Sequence, residues 1–241
     1  MTVRWVDSTL STNEDARNAQ AWDVFVADSQ TAGRGRLDHT WHSAPGMNLT
    51  FSAVLPDAGR TVAETATLPL VVGLAVATSV RGILEKYDAD TARQVRIKWP
   101  NDILAGGKKL AGILCERTGG GIIAGIGLNV NQRSFPPGIA MRPTSLALLA
   151  GRDFDRRKVL DVVLESIESR HAEWAKAGFR AVHADISMLD CLKGKIVTVA
   201  QTDDDRDPVS GPCGGIADDG SLIVAGVRVF AGEAHVLRAR G

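Results

Sequence analysis

The longest stretch without a charged residue or a histidine lies between Glu64 and Arg81, and it constrains the rest of the chain. Thr65, Thr67, Pro69, Gly73, Thr78 and Ser79 interrupt it, so it is too short and too polar to cross about 30 Å of hydrocarbon. Val71, Leu74, Ala75, Thr78 and Ile83 share much of one face at helical spacing, which predicts a buried helix over residues 70–84. A helix this apolar must be covered by other elements. The neighbouring sequence supplies strands. Residues 24–26 and 49–55 are short apolar or alternating runs flanked by Gly, Pro and Asn. Residues 95–99, 103–104, 110–116 and 122–131 follow as an antiparallel run, with Gly106-Gly107 as a hairpin turn.

A second helical rhythm runs over residues 156–174, with Leu160, Val163, Leu164, Ile167 and Trp174 on one side and Arg157, Asp161, Glu165, Glu168 and Arg170 on the other. This helix is expected to close the main domain. Beyond about residue 188 the pattern changes to short strands at 196–200, 222–225, 227–230 and 235–237, with Asp219-Gly220 as a turn. The acidic cluster Asp203, Asp204 and Asp205 falls in a hairpin loop of that segment, and no internal repeat is present. The expected organisation is α+β: residues 1–187 form a mixed or antiparallel sheet with helices, and residues 188–241 a small β-barrel. A length of 241 residues suits one main core with such an appendage.

Lys plus Arg and Asp plus Glu each number 28, so no overall field draws the molecule towards nucleic acid or an anionic membrane, and any anion must be bound locally. The three cysteines, Cys115, Cys191 and Cys213, have an odd total and no metal-ligand spacing, which predicts free thiols and a cytoplasmic location. Residues 1–7 lack the basic flank and apolar core of a signal peptide.

The chemically richest segment is the loop over residues 30–46. Gln30-Thr31-Ala32-Gly33-Arg34-Gly35-Arg36 sets two arginines among glycines directly after a strand. Glycines let the backbone approach a ligand, and guanidinium groups offer paired donors suited to phosphate oxygens. It is not a Walker loop, because the lysine followed by Ser or Thr is missing. Alone it reads as readily as a solvated turn, with a nucleic-acid contact as a lesser alternative. Lys98-Trp99-Pro100-Asn101-Asp102 places a cation, an aromatic ring and a carboxylate at a strand end, with Pro100 keeping the backbone extended; a plain strand terminus is the alternative. Lys108-Lys109-Leu110-Ala111-Gly112-Ile113-Leu114 sets a lysine at the mouth of an apolar strand, with Gly112 leaving room for a neighbour; a solvated charge is the alternative. Short connections bring the three groups to one sheet edge as a cluster of net positive charge. Ser11 with Glu14 also fits a helix capping box, and Ser8-Thr9 offers a second, poorer copy of Ser11-Thr12.

Taken together, Ser11-Thr12-Asn13, Gly33-Arg34-Gly35-Arg36, Trp41, Lys98-Trp99-Pro100-Asn101-Asp102, Lys109-Leu110-Ala111-Gly112-Ile113-Leu114 and Gly125-Ile126-Gly127-Leu128-Asn129 resemble the biotin protein ligases, in that order and over nearly the whole chain. The resemblance implies a class II synthetase-like ligase catalytic domain, and Gly215-Ile216 with Asp218-Asp219-Gly220-Ser221-Leu222 resembles the SH3-like β-barrel that follows it in that family. It implies activation of biotin with ATP, accompanied by Mg²⁺, to biotinyl-5'-AMP. Biotin then passes to a lysine of the biotin carboxyl carrier protein or domain of acyl-CoA carboxylases. Residues implied to bind biotin are Ser11, Thr12, Asn13, Gln30, Gly33, Arg34, Gly35, Arg36, Lys109 and Gly112. Those implied for ATP are Arg34, Arg36, Trp41, Lys98, Asn101, Leu128, Asn129 and Arg238. Lys109, Arg36 and Asp102 are the implied catalytic groups, and the metal ligands are not identified. A buried ureido ring needs both donors and acceptors around it, since each unmet group costs about 1–3 kcal/mol.

Leu37-Asp38-His39 departs from the family pattern, which often carries a glycine and another basic residue there; Asp38 is expected to weaken the local positive field and alter loop ordering. The matched region starts within the first dozen residues, with no helix-turn-helix ahead of it, so the expectation is a monomeric or weakly dimeric ligase of the non-repressor type. No specific DNA and no membrane are expected as partners. A lipoate protein ligase is the enzymatic rival, sharing the fold and the adenylate chemistry but lacking this combination of motifs. A non-catalytic nucleic-acid or protein-binding module is the rival from another class. It would bind nucleic acid in a salt-sensitive way, and the zero net charge counts against it.

Overall fold

The uncharged run folds as a helix at the centre of the molecule. In the computed structural model, which describes residues 1–36, 39–139, 141–200 and 208–237, the chain begins with β1 (Thr2–Thr9), α1 (Thr12–Asp15), β2 (Asp23–Gln30) and β3 (Leu49–Leu55). Helices α2 (Val62–Thr65), α3 (Leu68–Glu85) and α4 (Ala89–Arg93) precede β4 (Val95–Lys98), β5 (Asp102–Ala105), β6 (Lys108–Thr118) and β7 (Gly121–Leu128). Three helices follow, α5 (Leu146–Ala150), α6 (Arg156–Ala177) and α7 (Arg180–Leu189). The chain then forms β8 (Ile196–Ala200), β9 (Val209–Ile216), β10 (Leu222–Val224), β11 (Val227–Val229) and β12 (Glu233–Val236).

Helix α3 starts with Pro69 in its first turn, where a missing N–H leaves no bond unmade. It is buried on nearly all sides, between the main sheet and α6. The main sheet has the order β1-β2-β3-β7-β6-β5-β4, antiparallel except for the parallel pair β1 and β2. Gly106 and Gly107, both at positive φ, make the expected turn between β5 and β6. Helix α6 buries Leu160, Val163, Leu164, Ile167 and Trp174 as its periodicity predicts, and Asp155 caps its first turn. The same face also buries His171, whose ring meets Trp22 edge-on at 5.1 Å between centroids and whose Nε2 lies 2.9 Å from the Pro56 carbonyl oxygen. Burial pushes the His171 pKa below its ordinary value against the opposing pull of that hydrogen bond.

The second sheet, of order β11-β10-β9-β8-β12, is antiparallel throughout. Val197, Val199, Cys213, Leu222, Val224 and Ala234 belong to the same continuous apolar cluster as α3, so the small sheet shares the core of the large one. Its attachment runs through the β4 edge. Trp99 Nε1 donates to the Gly220 carbonyl at 3.0 Å, and the Cys191 N–H donates to the Ile97 carbonyl at 2.9 Å.

Several details depart from the sequence expectation. Helix α6 does not close the main domain: Gly178, at φ 73, breaks it, and α7 adds Val182, Ile186 and Leu189 to the core. Ser11 precedes α1 but its side chain makes no capping bond; a capping box forms instead at Thr61 and Glu64. β1 and β9 were not foreseen, because β1 is an exposed edge and β9 is rich in glycine with Pro212 inside it. β7 stops at Leu128, and the Trp99-Pro100 peptide is cis.

Candidate active site

The loop after β2 folds back over the sheet as a narrow hairpin. The Gly35 N–H donates to the His39 carbonyl at 2.6 Å and the Trp41 N–H to the Gly33 carbonyl at 3.0 Å. Beneath it lies a cavity of about 100 Å³. Its floor is glycine. Gly112 and Gly127 are paired across β6 and β7, and the Trp41 ring lies where a Cβ on Gly127 would stand. A Cβ on Gly112 would come within 3.4 Å of the same ring and of Lys109 Nζ. The indole Nε1 is buried without a hydrogen-bond partner.

One end of the cavity is polar and neutral. Gln30 Oε1 accepts the Thr12 N–H at 2.8 Å and lies 3.1 Å from Thr12 Oγ1. Ser52 Oγ, fully buried on β3, lies 2.7 Å from Thr12 Oγ1 and 2.6 Å from Asn13 Oδ1, and the Asn13 amide donates to Glu116 on β6.

The other end is charged. Lys109 Nζ stands 2.8 Å from Asp102 Oδ1, off the hydrogen-bonding direction, so that the buried Oδ1 has no aligned donor. A register shift between β5 and β6, after Ile103, brings Lys109 opposite Leu104 while Asp102 faces Gly112, and the residue extra to the ladder re-aims the lysine. The Lys109 backbone is fixed from outside by bonds to Arg142 and Thr144. Arg36 Nη1 donates to the Gly232 carbonyl of the small sheet at 3.2 Å. Burial lowers the Arg36 pKa, and the carboxylates of Glu233 and Asp102 oppose that shift. Burial also pushes Glu233 upward, but Lys98, His235 and His39 around it outweigh this and hold its carboxyl below the usual value.

Of the residues singled out in the sequence, Ser11, Thr12, Asn13, Gln30, Arg34, Gly35, Arg36, Trp41, Asn101, Asp102, Lys109 and Gly112 line this cavity. Gly33 supports Trp41 from behind. Arg34 also pairs outward with Glu14, with Glu116 3.8 Å away. Asn101 ties β5 to β6 through its Nδ2 and the Ile113 carbonyl, at 2.8 Å. Lys98, Leu128 and Asn129 do not line the cavity. Lys98 is buried with Nζ 3.7 Å from Glu233, and Leu128 is in the core. Asn129 Nδ2 donates to the Thr144 carbonyl at 2.9 Å, while its buried Oδ1 has no partner. Leu37, Asp38, Asp203, Asp204, Asp205 and Arg238 lie outside the described residues. Sequence reasoning missed Ser52, Glu116, His39 and Glu233. Ser52 carried a signal, as a polar residue two positions after Thr50 in an apolar strand, whereas nothing in the sequence joins Glu233 to Arg36.

A model of the biotin/lipoate A/B protein ligase family matches residues 3–132, more than half of the chain. This chain belongs to that family. Among its ligase relatives, the bifunctional ligase/repressor BirA of Bacillus spizizenii is 38% identical over 187 residues, which cover 73% of this chain and 55% of that protein. The biotin–acetyl-CoA-carboxylase ligase of Paracoccus denitrificans is 31% identical over 239 residues, covering 90% of this chain and 92% of that one. The fold matches the biotin protein ligase of Aquifex aeolicus, solved in complex with biotin and ATP, with a TM-score of 0.83 at 31% identity over 99% of both chains. Against the BirA proteins of two Bacillus species, this ligase-family chain spans about half their length, 55% and 50%.

Proposed function

We propose that this chain is a biotin protein ligase, which forms biotinyl-5'-AMP from biotin and ATP and transfers biotin to a lysine of a biotin carboxyl carrier domain of acyl-CoA carboxylases. The observation that carries this reading is the two-ended cavity, with a neutral donor and acceptor set at Thr12 and Gln30 and a cationic end at Arg36 and Lys109. The neutral end suits a ureido ring. At the charged end, a carboxylate oxygen of biotin attacks the α-phosphorus of ATP, the bond to the bridging oxygen breaks, and pyrophosphate leaves. Negative charge builds on oxygens of both reactants, and fixed cations in a sheltered cavity stabilise it without reorganising.

Transfer follows on the acyl carbon. The acceptor amine attacks it, AMP departs, and one proton of the amine must leave. A lysine amine has an unperturbed pKa of about 10.4, so little of it is free at neutral pH, and Asp102 is the carboxylate that receives or orients it. Asn129, with its partnerless Oδ1, and Leu128 are assigned to adenine, and Trp41, Asn101 and Lys98 to the nucleotide side. Mg²⁺ is assigned to the nucleotide phosphates. Among the described residues no three His, Cys, Asp or Glu side chains converge, which suits an ion held mainly by its substrate. The small sheet is assigned as an SH3-like barrel, with a boundary at residues 187 and 188, in the last turn of α7; the change from α7, ending at Leu189, to β8, starting at Ile196, supports a boundary in this region. A cytoplasmic location is supported by the free thiols of Cys115, Cys191 and Cys213.

Incubation with Mg-ATP and either biotin or lipoate, followed by mass spectrometry, tests the reading. Biotinyl-adenylate is expected. Lipoyl-adenylate as the main product, or no adenylate at all, would refute it.

A further inference from the structure

The loop that covers the cavity has two limbs, and they are held in different ways. The outgoing limb is held by backbone: the Thr31 and Ala32 N–H groups donate to the Thr9 and Leu10 carbonyls, each at 2.9 Å. The return limb, residues 42–47, carries the chain from Trp41 back to β3. Backbone bonds to Asp28 and Asn131 tie its last residues, Gly46 and Met47. The part next to Trp41 is held instead by two side-chain amides. Asn48, 1% exposed, donates through Nδ2 to Ser43 Oγ at 3.2 Å and to Gln132 Oε1 at 2.5 Å. Gln132 lies buried on the segment after β7, and the same Oε1 accepts the Ala44 N–H at 3.1 Å.

Each amide has one orientation. The Val130 N–H donates to Asn48 Oδ1 at 3.0 Å, and a backbone N–H only donates, so Asn48 must turn its Nδ2 towards the limb. The Ala44 N–H fixes Gln132 in the same way and leaves its Nε2 to donate to the Ser134 carbonyl at 2.9 Å. Both hydrogens of Asn48 Nδ2 and both acceptor positions of Gln132 Oε1 are therefore filled, in a place closed to water where a lost partner is not replaced. Neither residue lines the cavity. Ser43 is two residues from Trp41, whose ring is seated over Gly127. We propose that Asn48 and Gln132 are positioning residues for the reaction: their amides hold the return limb beside Trp41, keep the ring lowered over Gly127, and so keep the cavity closed around the adenylate.

This inference rests on the reading that the cavity holds biotinyl-adenylate. The test is the dissociation rate of biotinyl-adenylate from the purified protein, chased with excess biotin, in wild type, Asn48→Ala, Gln132→Met, Gln132→Glu and Ser43→Ala. Val163→Ala, which opens a core cavity in α6 and lowers stability without touching the limb, is the control. The two Gln132 variants separate holding the limb from filling the core. Glu still accepts from Asn48 and Ala44 and loses only the donor to Ser134, whereas Met fills the same space and accepts nothing. A role in burial alone makes Met the milder change, because it adds no charge to a buried position. A role in holding the limb makes Glu the milder.

The expected result is dissociation about tenfold faster in Asn48→Ala and Gln132→Met, about threefold faster in Ser43→Ala, and within about twofold of wild type in Gln132→Glu and Val163→Ala. A rate constant is unaffected by any misfolded fraction. Wild-type rates in Asn48→Ala and Gln132→Met, or in Ser43→Ala where those two fail to fold, overturn the proposal. So does a faster release from Gln132→Glu than from Gln132→Met, or an equal acceleration in Val163→Ala. All three outcomes leave biotinyl-adenylate as the bound intermediate, whereas failure of the wild-type protein to form and retain it overturns both readings.

Discussion

Lys109→Ala separates the catalytic from the structural work of the charged end. Removing one preorganised donor to developing charge costs about 2.7–4 kcal/mol at the transition state, so pyrophosphate exchange should fall about 10²–10³-fold. Stability should fall too, a consequence invisible in the sequence. The Lys109 and Asp102 side chains are 27% and 9% exposed, and the cation stands 2.8 Å from a buried Oδ1 that has no aligned donor. Orphaning one member of a fully buried ion pair costs about 3–5 kcal/mol, and the partial exposure of Lys109 brings the expectation down to about 1–3 kcal/mol. Urea unfolding should report that loss. The double variant Lys109→Ala/Asp102→Asn removes the uncompensated carboxylate and should regain most of the stability but none of the exchange activity. Wild-type exchange in Lys109→Ala would end its catalytic assignment. An unfolding midpoint equal to wild type would show that Asp102 does not depend on it.

Arg36→Ala frees the loop from the Gly232 carbonyl and removes a cation from the cavity, so bound biotinyl-adenylate should dissociate at least about tenfold faster; a wild-type dissociation rate would refute this. Gly127→Ala places a Cβ inside the Trp41 ring, and overpacking of about 1–3 kcal/mol should displace the indole, raise the KM for biotin and shift tryptophan emission; an unaltered KM would count against Trp41 as a cavity wall. His171 supplies a pH test. Its native pKa is held below the ordinary 6.5, so the unfolded chain takes up its proton first as pH falls. The stability owed to the neutral ring is complete above about pH 6.5 and is lost as pH falls towards the native pKa. His171→Gln should lower the urea midpoint less at about pH 5 than at about pH 7.5. An equal drop at both pH values would show that the ring does not titrate in this way.

The helix expected at residues 70–84 is α3, and the antiparallel strands around Gly106-Gly107 are β4 to β7, because burial on one or both faces writes a period into the sequence. β1 carried no such period. Val3 and Val6 are exposed on it, and its place beside β2 comes from pairing rather than pattern. The same division holds at the site. Arg36, Asp102 and Lys109 sit in short motifs that name their own chemistry, whereas Ser52, Glu116 and Glu233 enter only through register or through the approach of the second sheet. Ser52 pairs with Gly125, and Gly125 pairs with Leu114, so the pairing of β3 with the distant hairpin of β6 and β7 brings Ser52 and Glu116 to either side of Asn13.

The glycines of β7 show what was legible but unread. Glycine weakens a strand, and two of them at alternate positions in a fully paired central strand have no stability reason to be there. Gly125 and Gly127 share one face, since successive side chains of a strand point to opposite sides. Asn13 occupies the space over the first and Trp41 the space over the second, and Gly112 on β6 extends that floor beside Gly127. A missing side chain on a buried strand therefore marks a seat for something else. Here the two seats hold a polar side chain at one end of the cavity, Asn13, and an aromatic ring, Trp41, that covers its floor.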